Sequence, residues 1–310
     1  MPVFAYFGPA GTFTEMALKR LLHRGAVAVD GSIRTVPADS PAAAIAQLRR
    51  GEADYACVPI ESSLEGSVPA TMDALVPAPG ERRVQAYAEV SLDIAFTIAA
   101  RQRIDPAQVR TIAAYPVASA QVRDSVQTLF PNAQFVVASS NAGAAQDVVH
   151  GRADAAVTTA VAAELHQLTP LAEGVADSAD ARTRFLLLGP AGPPPERTGS
   201  DRTSVILDLV NRPGALVTAM TEFADRGVDL TRIESRPRRG EVPGQYRFFL
   251  DAAGHLDDDA VGEALRALYR SAERVVFLGS WPVDRTIGAT APPDHGDSLR
   301  WFAELKDGGD

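Results

Sequence analysis

The sequence has a single cysteine, Cys57, so no intrachain disulfide can form and no cysteine cluster can bind a metal. That fits a reducing compartment. No basic block offsets the formal net charge of -9, which argues against a nucleic-acid or anionic-membrane surface and in favour of a small-molecule ligand. Also missing are a basic-then-apolar segment at residues 1–8 and any apolar run approaching a membrane span, so a cytoplasmic protein without a targeting signal is expected. What is plentiful is apolar residues. At 46% of 310 residues they can fill the cores of two or more domains.

Residues 3–7 read as a strand, and the turn Gly8-Pro9-Ala10-Gly11-Thr12 opens a helix over about 14–22. A helix start attracts anions, and the Thr12 and Thr14 hydroxyls are available to help. Ser40 caps a second helix that has Pro41 at its first position and runs to Arg50, with a strand at 55–60 behind it. The same unit occurs twice. Residues 36–56 and 136–156 match in register, aligning Ser40 with Ser140, Gly51 with Gly151 and Asp54 with Asp154. Two similar α/β lobes are expected, with the ligand in the cleft between them, where strands end. The second lobe has its own strand, turn and helix start at 112–121.

Two further stretches carry chemistry. Residues 59–68 leave a strand end crowded with small polar groups and precede a short helix at Pro69. Within them Glu61 is open to three readings: an acid of raised pKa, an orienter of a neighbouring hydroxyl, or a turn cap. At 181–189 a hydroxyl, a guanidinium and an aromatic ring (Thr183, Arg184, Phe185) precede the apolar run Leu186, Leu187, Leu188, as in a strand covered on both faces. Thr183 can donate one hydrogen bond and Arg184 can clamp a carboxylate bidentately, which suits an anionic substrate that must lose an oxygen.

After Gly189 the composition turns to proline and glycine, giving a stiffened linker at 191–202. Beyond it, strands at 203–210, 228–236, 245–252 and 275–279 and helices at 215–226 and 258–271 follow the order βαββαβ of a ferredoxin-like unit, 203–282. A tail, 283–310, ends in a short amphipathic helix with Trp301 and Leu305 that is expected to pack on a neighbour or stay mobile.

The motifs Gly8-Pro-Ala-Gly-Thr-Phe-Thr, Pro59-Ile-Glu-Ser-Ser with Gly66-Ser-Val, Thr183-Arg-Phe, Pro213-Gly-Ala-Leu-Val and Ile233-Glu-Ser-Arg-Pro occur in order. In these the chain resembles prephenate dehydratase with a C-terminal ACT regulatory domain, over roughly residues 1–282. The resemblance implies a two-lobed catalytic domain of the type II periplasmic-binding-protein kind at 1–190, converting prephenate to phenylpyruvate, water and carbon dioxide in phenylalanine biosynthesis, with no metal or organic cofactor. It implies a catalytic set of Thr183, Arg184, Phe185, Glu61, Ser62 and Gln121, with Thr12, Ser63 and Ser139 in the cleft. Ser62 stands where the family usually has asparagine, and Tyr115 where many members have histidine. The resemblance further implies phenylalanine binding by Asn211, Gly214, Ala215, Leu216 and Val217 with Glu234, Ser235 and Arg236, in a homo-oligomer, expected to be a tetramer. Arogenate dehydratase and a non-catalytic amino-acid sensor are the alternatives. The intact Thr183-Arg-Phe triplet speaks against the sensor.

Overall fold

The repeat seen in the sequence is a repeat of architecture in the computed structural model, which describes residues 1–29, 31–238, 244–284 and 289–308. β1 (Val3–Phe7) turns into α1 (Phe13–His23), β2 (Arg34–Ala38) into α2 (Pro41–Arg50), and β3 (Tyr55–Ser62), by way of β4 (Gly66–Ser67), into α3 (Pro69–Leu75). β5 (Val84–Asp93) leads to a second lobe made of β6 (Phe96–Ala100), β7 (Thr111–Ala114), α4 (Pro116–Gln121), α5 (Arg123–Leu129), β8 (Gln134–Val137), α6 (Asn141–Val149), β9 (Ala155–Thr158), α7 (Ala160–Leu165) and β10 (Thr169–Val175). β11 (Arg182–Pro190) then returns to the first sheet.

The sheets run β2-β1-β3-β11-β5 and β10-β6-β9-β7-β8. Each has a strand with parallel neighbours on both sides, β1 between β2 and β3 and β7 between β8 and β9, followed by an antiparallel strand, β11 on β3 and β6 on β9. The aligned residues do the same work in each lobe. Ser40 and Ser140 accept the N–H groups of Ala43 and Gly143 at 3.0 and 2.9 Å and so cap α2 and α6. Gly51 and Gly151 end the units at φ 75° and 73°, a conformation that favours glycine. Asp54 accepts the N–H of Val3 at 2.7 Å, while Asp154 accepts those of Arg110 and Thr111 at 2.9 Å each. One carboxylate per lobe thus fixes where the neighbouring strand begins.

The lobes meet where side chains are smallest. The Thr159 hydroxyl donates to the Gly11 carbonyl at 2.5 Å. Gly11 has φ +87°, and a Cβ there would lie 2.8 Å from that of Ala162. Both conditions require glycine.

By contact, the chain divides into one unit of Met1–Val84 with Val90–Pro190 and another of Gln85–Glu89 with Ala191–Asp310. In the second, β12 (Asp201–Asp208), α8 (Ala215–Ala224), β13 (Leu230–Pro237), β14 (Tyr246–Ala253), α9 (Asp259–Ser271) and β15 (Arg274–Pro282) follow the order read from the sequence. The antiparallel sheet β13-β14-β12-β15 and the two helices enclose Val205, Leu207, Phe223, Leu250, Val261 and Leu268. Asp201 and Arg202, expected in the linker, are strand residues, because Asp201 accepts three donors from residues 198 and 199 and anchors the strand start.

Charges are buried beside that core. Arg202 Nε lies 3.0 Å from Glu89 Oε2 and its Nη1 3.4 Å from Asp251 Oδ2, while Arg232 Nε lies 2.9 Å from the same Asp251 oxygen. Ser204 and Trp281 add hydrogen bonds to Asp251 and Glu89 at 2.8 and 3.0 Å. Buried ions persist only when paired and bonded in this way. Beyond β15 comes α10 (Gly296–Lys306), whose Trp301, Phe302 and Leu305 are exposed. Residues 285–288 and 309–310 of the tail lie outside the described residues. Among the described residues no helix is long and apolar enough to cross a membrane.

Gly11 at the lobe joint and Asp154 within the second lobe each contribute to stability. Gly11→Ala forces a side chain into a left-handed backbone against Ala162, and should lower the unfolding free energy by about 1–3 kcal/mol, read from denaturant midpoints. The Arg110 N–H, joined by donors on Thr111, holds the Asp154 carboxyl below its usual range. Stability from a depressed carboxyl is present above the unfolded pKa and fades as pH falls through the folded one. Asp154→Asn should therefore lower Tm by about 1–3 °C at pH 7, with the gap closing toward pH 2 in a pH series of thermal melts.

Candidate active site

In both lobes the strands hand the chain to helices at the same edge, so helix starts from each lobe open onto one cleft of about 590 Å³. α1 contributes Thr12, Phe13 and Thr14; α3 contributes Val68, Pro69 and Ala70; α4 contributes Tyr115 and Val117; and α6 contributes Ser140 and Asn141. Helix starts from both lobes therefore border one space. Phe7, Phe13, Ile94, Phe96 and Phe185 form its apolar wall. Phe13 and Phe96 meet edge to face, with ring centroids 5.6 Å apart.

The polar part of the wall comes from β3 and β11. These strands pair antiparallel with Thr183 opposite Ser62, Arg184 opposite Glu61 and Phe185 opposite Pro59, and the register shift between Arg184 and Phe185 leaves Ile60 as the extra residue. Successive side chains of a strand point to opposite faces. Thr183, Phe185, Ser62 and Pro59 accordingly line the cleft, whereas Arg184 and Glu61 are not among its lining residues. Arg184 is buried, with Nη2 3.0 Å from Glu61 Oε2. This corrects the expectation that Arg184 clamps a substrate carboxylate: its neighbour Thr183 takes the cleft face, so Arg184 takes the other. Glu61 is thus engaged by Arg184 and by no hydroxyl among the described residues.

The remaining expected residues separate in the same way. Thr183, half-buried, makes no side-chain hydrogen bond among the described residues, and its hydroxyl is open to a ligand. Gln121 lines the cleft 8% exposed, its amide likewise without a partner among the described residues. Ser62 lines it too, while its oxygen accepts the N–H groups of Leu64 and Glu65 at 3.3 and 3.4 Å. Thr12 is present, yet its hydroxyl oxygen caps α1 through Glu15 N–H at 3.4 Å. Ser63 and Ser139 are exposed and outside the cleft lining, contrary to expectation. Ser63 instead ties its loop to the approach of β11, donating to the Asp180 carbonyl at 3.0 Å and accepting Arg182 N–H at 2.9 Å. Glu65 and Asn141 line the cleft without having been singled out. For Asn141 the signal was in the repeat, since it follows Ser140, the partner of the Ser40 cap.

In the second unit, Gly214 (φ +81°) precedes α8, which begins with Ala215, Leu216 and Val217, the last 70% exposed. Asn211 donates to the Gly244 carbonyl at 3.1 Å. Glu234, Ser235 and Arg236 lie near the end of β13, an edge strand of its sheet.

Family models place these observations. The prephenate dehydratase model matches residues 4–192 and the ACT domain model residues 203–268. A prephenate dehydratase of Mycolicibacterium gilvum is 54% identical over 312 residues, covering 99% of each chain. Among solved structures, prephenate dehydratase of Arthrobacter aurescens in complex with L-Phe superposes with TM-score 0.86 at 35% identity, over 98% of this chain and 99% of that one. GqqA, described as a novel type of quorum-quenching acylase, superposes with TM-score 0.78 at 29% identity, over 91% of this chain and 98% of that one. With a periplasmic-binding-protein-like pair of lobes followed by an ACT domain, the chain belongs to the prephenate dehydratase family of lyases.

Proposed function

We propose that this chain dehydrates and decarboxylates prephenate to phenylpyruvate in the cleft of the first unit, and that L-phenylalanine binding to the second unit restrains it. The observation that carries the catalytic part is the Thr183 hydroxyl, without a partner among the described residues, in a cleft onto which helix starts from both lobes open. The 54% identical relative outweighs the acylase likeness in choosing the reaction.

In this reaction the bond from the ring to its carboxylate breaks and the electron pair enters the ring. The carbon–oxygen bond to the para hydroxyl breaks, and that oxygen leaves as water once it has gained a proton. Aromatisation drives both losses, so the barrier is the departure of hydroxide. Thr183 donates to the leaving oxygen and recovers its proton from solvent. Glu61, paired with Arg184 and absent from the cleft lining, holds the strand that presents Thr183 rather than relaying the proton. The apolar wall favours loss of the ring carboxylate as neutral carbon dioxide, its charge passing with the electron pair into the ring. Arogenate differs in its side chain, and the same machinery accommodates its dehydration, so the two substrates are to be compared directly.

The regulatory part rests on the Gly214 turn into α8 and on Glu234, with the solved L-Phe complex of the relative as support. First-turn N–H groups take an amino acid's carboxylate, and a glutamate takes its ammonium. Inhibition requires that the effector prefer one arrangement of an oligomer, for which we propose a tetramer.

Thr183→Val should retain the fold and prephenate binding but lose roughly a hundredfold to ten-thousandfold of kcat, with Thr183→Ser keeping part. Phenylpyruvate formation from prephenate, run beside phenylalanine formation from arogenate, measures this, and a near-wild-type valine variant would remove Thr183 from the chemistry. For regulation, Gly214→Val in the full chain places a branched side chain in a left-handed turn. It should raise the phenylalanine concentration for half-inhibition by about tenfold or more, the effect of losing an allosteric coupling, while basal turnover persists. Unaltered inhibition would move the effector away from this turn.

A further inference from the structure

We infer that the start of α1 is a carboxylate subsite with the Thr14 hydroxyl as its side-chain donor, and that it holds the pyruvyl carboxylate of the substrate. The assignment of that carboxylate rests on the reaction proposed above.

Thr14 is 4% exposed and lines the cleft, and its hydroxyl makes no hydrogen bond among the described residues. The Thr14 oxygen itself reaches the open cleft, where a ligand can bring it an acceptor. The N–H groups of Phe13 and Thr14 stand in the first turn of an 11-residue helix, beyond the reach of any intrahelical carbonyl, and both residues line the same cleft. One hydroxyl and two N–H groups therefore converge at the positive end of α1.

The neighbours sharpen the assignment. Thr12 cannot supply the side-chain donor, because its hydroxyl caps the helix and faces the carbonyls of Pro9 and Phe7 at 3.1 and 3.3 Å. Thr14 itself is anchored, its carbonyl accepting the Cys57 thiol at 3.7 Å. Glu15, in the same turn, does not oppose an incoming anion with a bare charge: it accepts Gly11 N–H at 2.6 Å and pairs with Lys19 at 2.8 Å. No lysine or arginine is among the described residues lining the cleft, and Glu65, on an exposed loop, brings its one carboxylate. An anionic substrate is thus held by helix dipoles and neutral donors, in place of the guanidinium clamp expected from the sequence.

The chemistry selects which carboxylate. The ring carboxylate must depart as carbon dioxide, and donors gripping it would stabilise the ground state more than the transition state. The pyruvyl carboxylate passes unchanged into the product and can be held throughout. Phenylpyruvate keeps that group and lacks the other, so it is the probe.

Calorimetric titration of phenylpyruvate into the wild-type chain, Thr14→Val and Thr14→Ser reads the subsite without turnover. Thr14→Val should weaken binding roughly ten- to hundredfold, the worth of a hydrogen bond to a charged group. Thr14→Ser should stay within about threefold, since it retains the donor. The KM for prephenate should follow the same order, with kcat little altered. Equal phenylpyruvate affinity in the wild type and the valine variant overturns the proposal, as does equal loss in both variants with unchanged thermal melts. A wild-type chain that binds phenylpyruvate through Thr14 yet leaves prephenate unconverted would overturn the reaction assignment and leave the subsite standing.

Discussion

The cleft depends on the antiparallel pairing of β11 with β3. These two strands lie 120 residues apart in the chain, with the whole second lobe inserted between them, yet they place Thr183 opposite Ser62 and Phe185 opposite Pro59 on one face. On the reverse face the same register sets Arg184 against Glu61 at 3.0 Å. A slip of one residue would exchange the faces, putting the ion pair in the cleft and the hydroxyl behind it. The pair, with Arg184 buried and Glu61 partly exposed, is specified by the register, and a slipped register would separate the two. Catalytic geometry and strand registry are one constraint here.

The cleft of the first unit is bordered by helix starts and, among the described residues, by no lysine or arginine. A guanidinium in the cleft would bind an anion strongly in the ground state, and nothing in the reaction rewards that once the charge begins to leave. Helix starts, two of them capped by Thr12 and Ser140, give a weaker and more distributed field, and need no rearrangement when charge shifts. The second unit does the opposite. There Arg202, Arg232, Asp251 and Glu89 are buried beside one another, each answered by an opposite charge within 3.4 Å.

Much of this was legible in the sequence because it is local. The Ser40 cap with Pro41 and the glycine turns at Gly51 and Gly151 are short-range devices and showed in the repeat, whereas Asp54 and Asp154 aligned there without their partners, which lie 51 and 43–44 residues away. The βαββαβ order came from similar signals. Strand β5 was legible too: Val84, Ala86, Ala88, Val90 and Leu92 alternate with more polar neighbours, a period of two that went unread. β10 gives little such signal, having Pro170 and Gly174 within it and register shifts along its pairing with β6. The error over Arg184 was of another kind. Two adjacent residues on a strand cannot both face one ligand, so assigning both Thr183 and Arg184 to the substrate conflicted with the strand assigned to them. Partner identity was the illegible part, since Glu61 is 123 residues from Arg184 and nothing between them announces the contact.

Strand β5 complicates any attempt to take the protein apart. Its ends belong to the first unit, but residues 85–89 belong to the second, where Glu89 meets Arg202 at 3.0 Å and the Trp281 indole N–H at 3.0 Å. A cut after Pro190 removes both of those partners and leaves Glu89 behind. A carboxylate suited to a buried site would then lose its partners, in the middle of a strand that also completes the first sheet. The seam between the units runs through the middle of a strand, so the linker is not where the protein divides. A chain that acquired this second unit would also have to carry, within another domain's sheet, the five residues 85–89.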